Sequence, residues 1–193
     1  MNKSGSVIQV ILSQLSPAGS VLAGASLGEH HATDILTMSQ AQSALAVQVI
    51  LDFSGAESVT ASYLKALFKI FTTEPDAPQQ LYPMVANITN TDLRFELESY
   101  LNGKDLALRE VSVANGQVTP GGMIGRLEPS ADEAYQELIA IGPTTAATLH
   151  DRNPLKASNQ TAWNNRLVKL FELRLAHRER VGRNWIYQSA LNL

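Results

Sequence analysis

Residues 159–188 read NQTAWNNRLVKLFELRLAHRERVGRNWIYQ, and the spacing of their apolar positions changes half-way along. Over 159–174, Trp163, Leu167, Leu170 and Phe171 recur at i, i+4, i+7 and i+8, which predicts a helix with one buried face. The opposite face holds Gln160, Thr161, Asn164, Asn165 and Val168. Beyond it, 178–181 and 184–188 are short strand-like runs turning at Gly182. Upstream, Ser130-Ala131-Asp132-Glu133 reads as a capping box opening a helix that stops at Gly142-Pro143. Thr144 is placed to cap a second, short helix, which Asn153-Pro154 ends. Three helices and a hairpin in the last third of the chain are the expected layout.

Charge separates this region from the rest. Residues 150–193 carry eight Lys/Arg (Arg152, Lys156, Arg166, Lys169, Arg174, Arg178, Arg180, Arg183) against Asp151, Glu172 and Glu179, a net of +5. The whole chain stands at −3, so residues 1–149 stand at −8. Such a split points to an anionic partner for the basic part.

The first part alternates strands and helices. AVQVILDF (46–53) is nearly continuously apolar, as expected of a strand covered on both faces. Residues 7–12 predict a shorter strand ended by Ser16-Pro17-Ala18-Gly19, and 28–45 a loose helical pattern. The stripe Leu64, Leu67, Phe68, Phe71 predicts a helix over 60–73, and Leu93, Leu97, Tyr100, Leu101 another over 91–101. Residues 81–88 read as a strand that Pro83 places at an edge or makes irregular. Asn115-Gly116 between 109–114 and 117–118 is a hairpin signal. An α/β sheet of about four strands follows, with Pro120-Gly121-Gly122 and Gly125 as the domain boundary. The expected division is a body over 1–118, a linker over 119–129 and a C-terminal domain over 130–193.

The C-terminal segments TTAATLHDRNP, NQTAWNNRLVKLFELRL and AHRERVGRNWIYQ resemble the winged helix-turn-helix domains of bacterial transcription regulators. The resemblance implies a positioning helix, a recognition helix and a basic wing of the form R-x-R-x-G-R-x-W-x-Y. Double-stranded DNA is the ligand it implies. Asn and Gln on a helix in the major groove pair bidentately with adenine, and Lys/Arg on a wing reach phosphates or a narrow minor groove. The expected DNA-binding set is Gln160, Thr161, Asn164, Asn165, Lys169, Arg178, Arg180 and Arg183. Trp185 and Tyr187 share a strand face and are expected to pack the hairpin on the helices.

The body segment VILDFSGAESVTASYLKAL resembles the centre of STAS domains, the fold of anti-sigma factor antagonists. On that pattern Asp52 matches the acid at the strand end and Leu64 the helix leucine. Thr60, Ala61, Ser62 and Tyr63 fall on the Asp-Ser-Ser/Thr-Gly positions, so the family's phosphorylated serine meets Ala61, which has no hydroxyl. Thr60 and Ser62 remain as neighbouring hydroxyls, with helix capping as their simpler role. The resemblance implies an α/β protein-interaction domain over about 6–114, also fit for homodimerisation.

With 0 cysteines, disulfides, thiolate metal sites and cysteine nucleophiles are excluded. His30 and His31 with Glu29 and Asp34 lack metal-ligand spacing, and His150 and His177 add no base-and-partner arrangement. The glycines at 121, 122 and 125 lack the Lys-Ser/Thr of a phosphate loop. No catalytic set, cofactor or metal is expected, nor a membrane span or signal peptide, so a cytoplasmic non-enzyme is the expectation. The first reading is a DNA-binding transcription regulator with a STAS-like protein-interaction or dimerisation domain. The alternative is an adaptor subunit of a multiprotein assembly that binds no DNA, with an ATPase of the histidine-kinase type as the partner considered. A structural component of a phage or mobile element is the third.

Overall fold

The computed structural model describes residues 5–16, 19–72, 80–114 and 117–193. The chain forms two compact units, Met1–Arg126 and Leu127–Leu193. The fold is mixed α/β, with a mostly parallel central sheet in the first unit.

In the first unit, β1 (Ser6–Ile11) is followed by one helical turn, α1 (Leu12–Leu15), a short strand β2 (Val21–Leu22) and a long helix α2 (Ala25–Gln40). Then come β3 (Ala46–Asp52), a short β4 (Ser58–Val59), α3 (Ala61–Thr72), β5 (Gln80–Ala86), α4 (Thr91–Asn102), β6 (Ala107–Ala114) and β7 (Gln117–Gly125). The main sheet runs β1-β3-β5-β6-β7, with the first four strands parallel and β7 antiparallel at the edge. Each parallel crossover passes through one long helix (α2, α3 or α4) to the next strand over. The right-handed rule for such crossovers puts α2, α3 and α4 on one face. The core agrees: Val47, Val49, Leu51, Val85 and Leu108 of the sheet share one cluster with Ile35, Leu64, Leu67, Leu93 and Leu97 of the helices. β3 is buried along its whole length, Gln48 and Asp52 included, in keeping with its nearly continuous apolar run.

Pro83 lies in an interior strand, contrary to its expected edge position. The ladder from β5 to β6 begins only at Met84, so at Pro83 the strand is paired on one side alone, with Val49. The stretch expected as linker also differs, because 117–125 is a strand paired with β6 through a register shift between Arg109 and Val111. Its Pro and Gly residues sit on an edge, where a missing donor is tolerated. The body therefore extends to Arg126, and the sheet has five strands rather than four. The Asn115-Gly116 turn and Pro17-Ala18 lie outside the described residues.

Helix α2 crosses α3 closely. A Cβ on Gly28 would stand 2.5 Å from the Tyr63 carbonyl oxygen and 2.8 Å from Ala66 Cβ, so only glycine fits this approach. Three residues on, His31 Nδ1 meets the Tyr63 hydroxyl at 2.8 Å, with both side chains fully buried.

The second unit consists of α5 (Pro129–Ile141), α6 (Ala146–Arg152), α7 (Gln160–Glu172), β8 (Ala176–Val181), β9 (Asn184–Ser189) and a final 3-10 turn (Ala190–Asn192). Its core gathers Tyr135, Leu138, Leu149, Trp163, Leu167, Leu170 and Tyr187. Helix α5 starts at Pro129, which suits the first helical position. The expected capping box does not form: Ser130 lies inside the helix, and Glu133 instead accepts from Arg166 Nη1 at 2.7 Å. The cap of α6 is Thr145, whose hydroxyl accepts from the Thr148 amide, not Thr144. Thr144 is taken by the hairpin, exchanging backbone hydrogen bonds of 2.9 and 2.8 Å with Tyr187.

Candidate nucleic-acid interface

Asn159 opens α7 by accepting from the Ala162 amide at 2.9 Å, which sets the polar face in register. Gln160, Thr161 and Asn165 are exposed, while Asn164 and Lys169 are half-buried. Thr161 and Asn165 are one turn apart on the outward ridge, with Gln160 and Asn164 along its flank. Glu172 is exposed at the end of that ridge, so the face is polar rather than uniformly cationic.

The helix ends in a Schellman motif: Leu175 N–H donates to the Leu170 carbonyl and Arg174 N–H to the Phe171 carbonyl. Arg174 itself takes the left-handed position, φ 61, and is buried. The chain then turns into β8 and β9. Gly182, φ 62, is the first residue of a two-residue loop, as a II′ hairpin turn requires. That loop fixes the register, with Arg178 opposite Tyr187 and Arg180 opposite Trp185. Alternation then places Ala176, Arg178, Arg180, Trp185, Tyr187 and Ser189 on one face. Near α7 that face is buried at Ala176, Tyr187 and Ser189; towards the tip it opens at Arg180 and Trp185.

The expected arginines separate into two kinds. Arg180 and Arg183 are exposed, and among the described residues neither takes part in an ion pair. Arg178 is half-buried, with its guanidinium 4.1 Å from the Phe171 ring centroid and 4.4 Å from that of Trp185. Tyr187 packs inward as expected. Trp185 remains 40% exposed, with the Arg178 guanidinium over its ring.

No family model, curated protein or solved structure matches this chain.

The charge separation shrinks once the unit is drawn at its structural boundary. Residues 127–193 hold the same eight cations against seven acids, because α5 and the residue before it contribute Glu128, Asp132, Glu133 and Glu137. Two cations are spent on that helix: Lys156 meets Glu137 at 2.6 Å and Arg166 meets Glu133 at 2.7 Å. The Lys156 ammonium beside it holds the Glu137 carboxyl below its ordinary range. Cationic surface left for a ligand is thereby concentrated at the hairpin end.

In the body, Asp52 is 1% exposed at the carboxyl end of β3. It accepts from Gln9 Nε2 at 2.6 Å, the Ser54 amide at 2.8 Å and Asn87 Nδ2 at 2.9 and 3.0 Å. Burial pushes the carboxyl up, but the bonds from Asn87, Ser54 and Gln9 outweigh it and hold the group below its usual range. Thr60 caps α3, accepting from the Tyr63 amide at 3.4 Å and the Gly24 amide at 3.1 Å. Ser62 is exposed in the first turn of the helix, its Oγ 3.1 Å from that of Thr60. Adjacent His30 and His31 differ in surroundings: His30 is exposed, 3.6 Å from Asp34, while His31 is buried against Tyr63. Gln9, Asn87 and the His31–Tyr63 pair carry no sequence motif. They are joined only by the parallel register and the close helix crossing.

Proposed function

We propose that the C-terminal unit is a winged helix that binds duplex DNA, and that the chain is a regulator whose STAS-like body recruits a protein partner or a second copy. The observation that carries this reading is the placement of exposed Arg180 and Arg183 at the tip of a hairpin that continues from α7, whose outward face is Gln160, Thr161, Asn164 and Asn165. Thr144 pairs with Tyr187 of that hairpin through an isolated antiparallel bridge, just before α6. The wing supplies phosphate contacts, and the uncharged face of α7 supplies base contacts.

The test is duplex binding by the full chain across a salt titration. Counterion release makes the affinity fall steeply with salt. Arg180→Ala and Arg183→Ala each weaken every duplex and lower the salt slope by about 1. Asn164→Ala and Asn165→Ala instead cost roughly 1–3 kcal/mol at a preferred sequence and little elsewhere. Equal loss on all duplexes from the asparagine changes defeats the base-reading assignment. Absence of binding at ~100 mM salt defeats the DNA reading as a whole.

Two observations favour a second reading, an adaptor that docks on proteins alone. The C-terminal unit spends Lys156 and Arg166 internally, and Phe95 on α4 is 67% exposed. That reading expects no duplex binding and stable co-purification with a partner, reduced by Phe95→Ala. Among the described residues no helix is long and apolar enough to cross a membrane.

A further inference from the structure

The guanidinium carbon of Arg178 lies 4.1 Å from the ring centroid of Phe171, in the last turn of α7, and 4.4 Å from that of Trp185, on β9. Arg178 and Trp185 are diagonal neighbours on one hairpin face, so the strand register itself delivers the stack. A guanidinium held in this way has little freedom left to lose. Its five N–H donors lie in one plane and point outward from its edge. Among the described residues no ion pair or hydrogen bond engages that edge, and Arg178 keeps part of its surface open. The Trp185 indole carries one more donor, Nε1–H, likewise engaged by no described group, on a side chain 40% exposed. Exposed Arg180 stands directly across from Trp185.

We propose that the Phe171–Arg178–Trp185 stack is a preformed phosphate-binding element, and that Trp185 itself contacts the DNA backbone. This rests on the duplex reading given above and extends it to a residue whose expected role was packing alone. The stack fixes the plane of the fork before the ligand arrives, so the charge-assisted bonds to a phosphate form without ordering a long side chain first. Lysine keeps the charge but neither stacks as a plane between two rings nor offers a fork, so it does not replace Arg178.

The chain has two tryptophans, and Trp163 is fully buried, so collisional quenching by neutral acrylamide reads Trp185. The experiment uses the full-length protein and a labelled duplex of about 20 base pairs, with anisotropy followed across salt. Duplex binding is expected to lower the acrylamide quenching constant of the wild type and to leave that of Trp185→Phe unchanged. Arg178→Ala and Arg178→Lys are both expected to weaken binding by about tenfold or more. Trp185→Phe, which keeps a ring on Arg178 and loses the N–H, is expected to weaken it about fivefold. Thermal unfolding of each variant sets the comparison at temperatures where all are folded. A purely structural clip would lower the unfolding midpoint of the variants without shielding Trp185 in the wild-type complex. If the duplex binds and acrylamide still reaches Trp185 equally, or if Arg178→Lys binds as the wild type does, the stack proposal is overturned and the duplex reading stands. If no duplex binds while the protein is folded, both fall.

Discussion

Replacing Asp52 tests the body most directly, because three chain segments converge on its carboxylate. Gln9 comes from β1, Ser54 follows β3 and Asn87 follows β5, in the left-handed conformation at φ 57. Hydrogen bonds to a buried charge contribute about 1.5–3 kcal/mol each. Three such donors would set an upper bound well above the real loss, since Gln9 is exposed and Asn87 half-buried, and water re-engages their amides. Counting the Ser54 amide and part of Asn87, Asp52→Ala is expected to cost about 3 kcal/mol. Asp52→Asn keeps the shape and loses the charge, for roughly 1–2 kcal/mol. The pH dependence fixes the cause. The folded carboxyl lies below its ordinary value, so its contribution is complete above that value and is lost as pH falls through the lowered one. Urea unfolding followed by circular dichroism should therefore give a wild-type advantage over Asp52→Asn that is full at pH 7 and closes towards pH 3. An advantage equal at the two pH values, or a cost under about 1 kcal/mol for the alanine, refutes the charged-hub account.

Burial of His31 lowers its pKa, with the Leu15 carbonyl and Asp34 offsetting only part, so the unfolded chain takes up a proton there first as pH drops below 6.5. Wild-type stability should then fall between pH 7 and pH 5.5. His177, also lowered by burial, adds its own share, so the measure is the flatter profile of His31→Gln; an identical slope sinks the assignment. Gly28→Ala should destabilise the first unit by about 1–3 kcal/mol, because the new Cβ forces α2 away from Tyr63. It would do so despite the better helix propensity of alanine, and an unchanged thermal midpoint would show that the helices part freely.

Local signals reached the elements whose pattern is complete within one segment. AVQVILDF specifies a doubly covered strand by itself, and the stripe from Trp163 to Phe171 specifies the buried face of α7. Pro83 misled because its cost depends on where the neighbouring ladder begins, a property of β6 and not of β5. Residues 117–125 look like a linker by composition and become a strand only because β6 offers an edge. Ser130 to Glu133 satisfies the capping pattern, yet Pro129 starts the helix earlier and Arg166 takes the carboxylate. The candidate interface divides in the same way. The shared strand face of Trp185 and Tyr187 was legible, whereas Arg178 joins it only through the hairpin register, and the approach of Phe171 needs the helix to be docked first. The acids of α5 were visible all along, but their claim on Lys156 and Arg166 is a tertiary fact.

The pair of backbone bonds between Thr144 and Tyr187 has a mechanical meaning. Thr144 immediately precedes the cap of α6, and Tyr187 is the inward anchor of the hairpin. Peeling the hairpin away therefore pulls on the residue before that cap, and fraying the start of α6 strips the hairpin of its bridge to Thr144. Helix entry and hairpin open together as one cooperative block rather than as a flap on a fixed base.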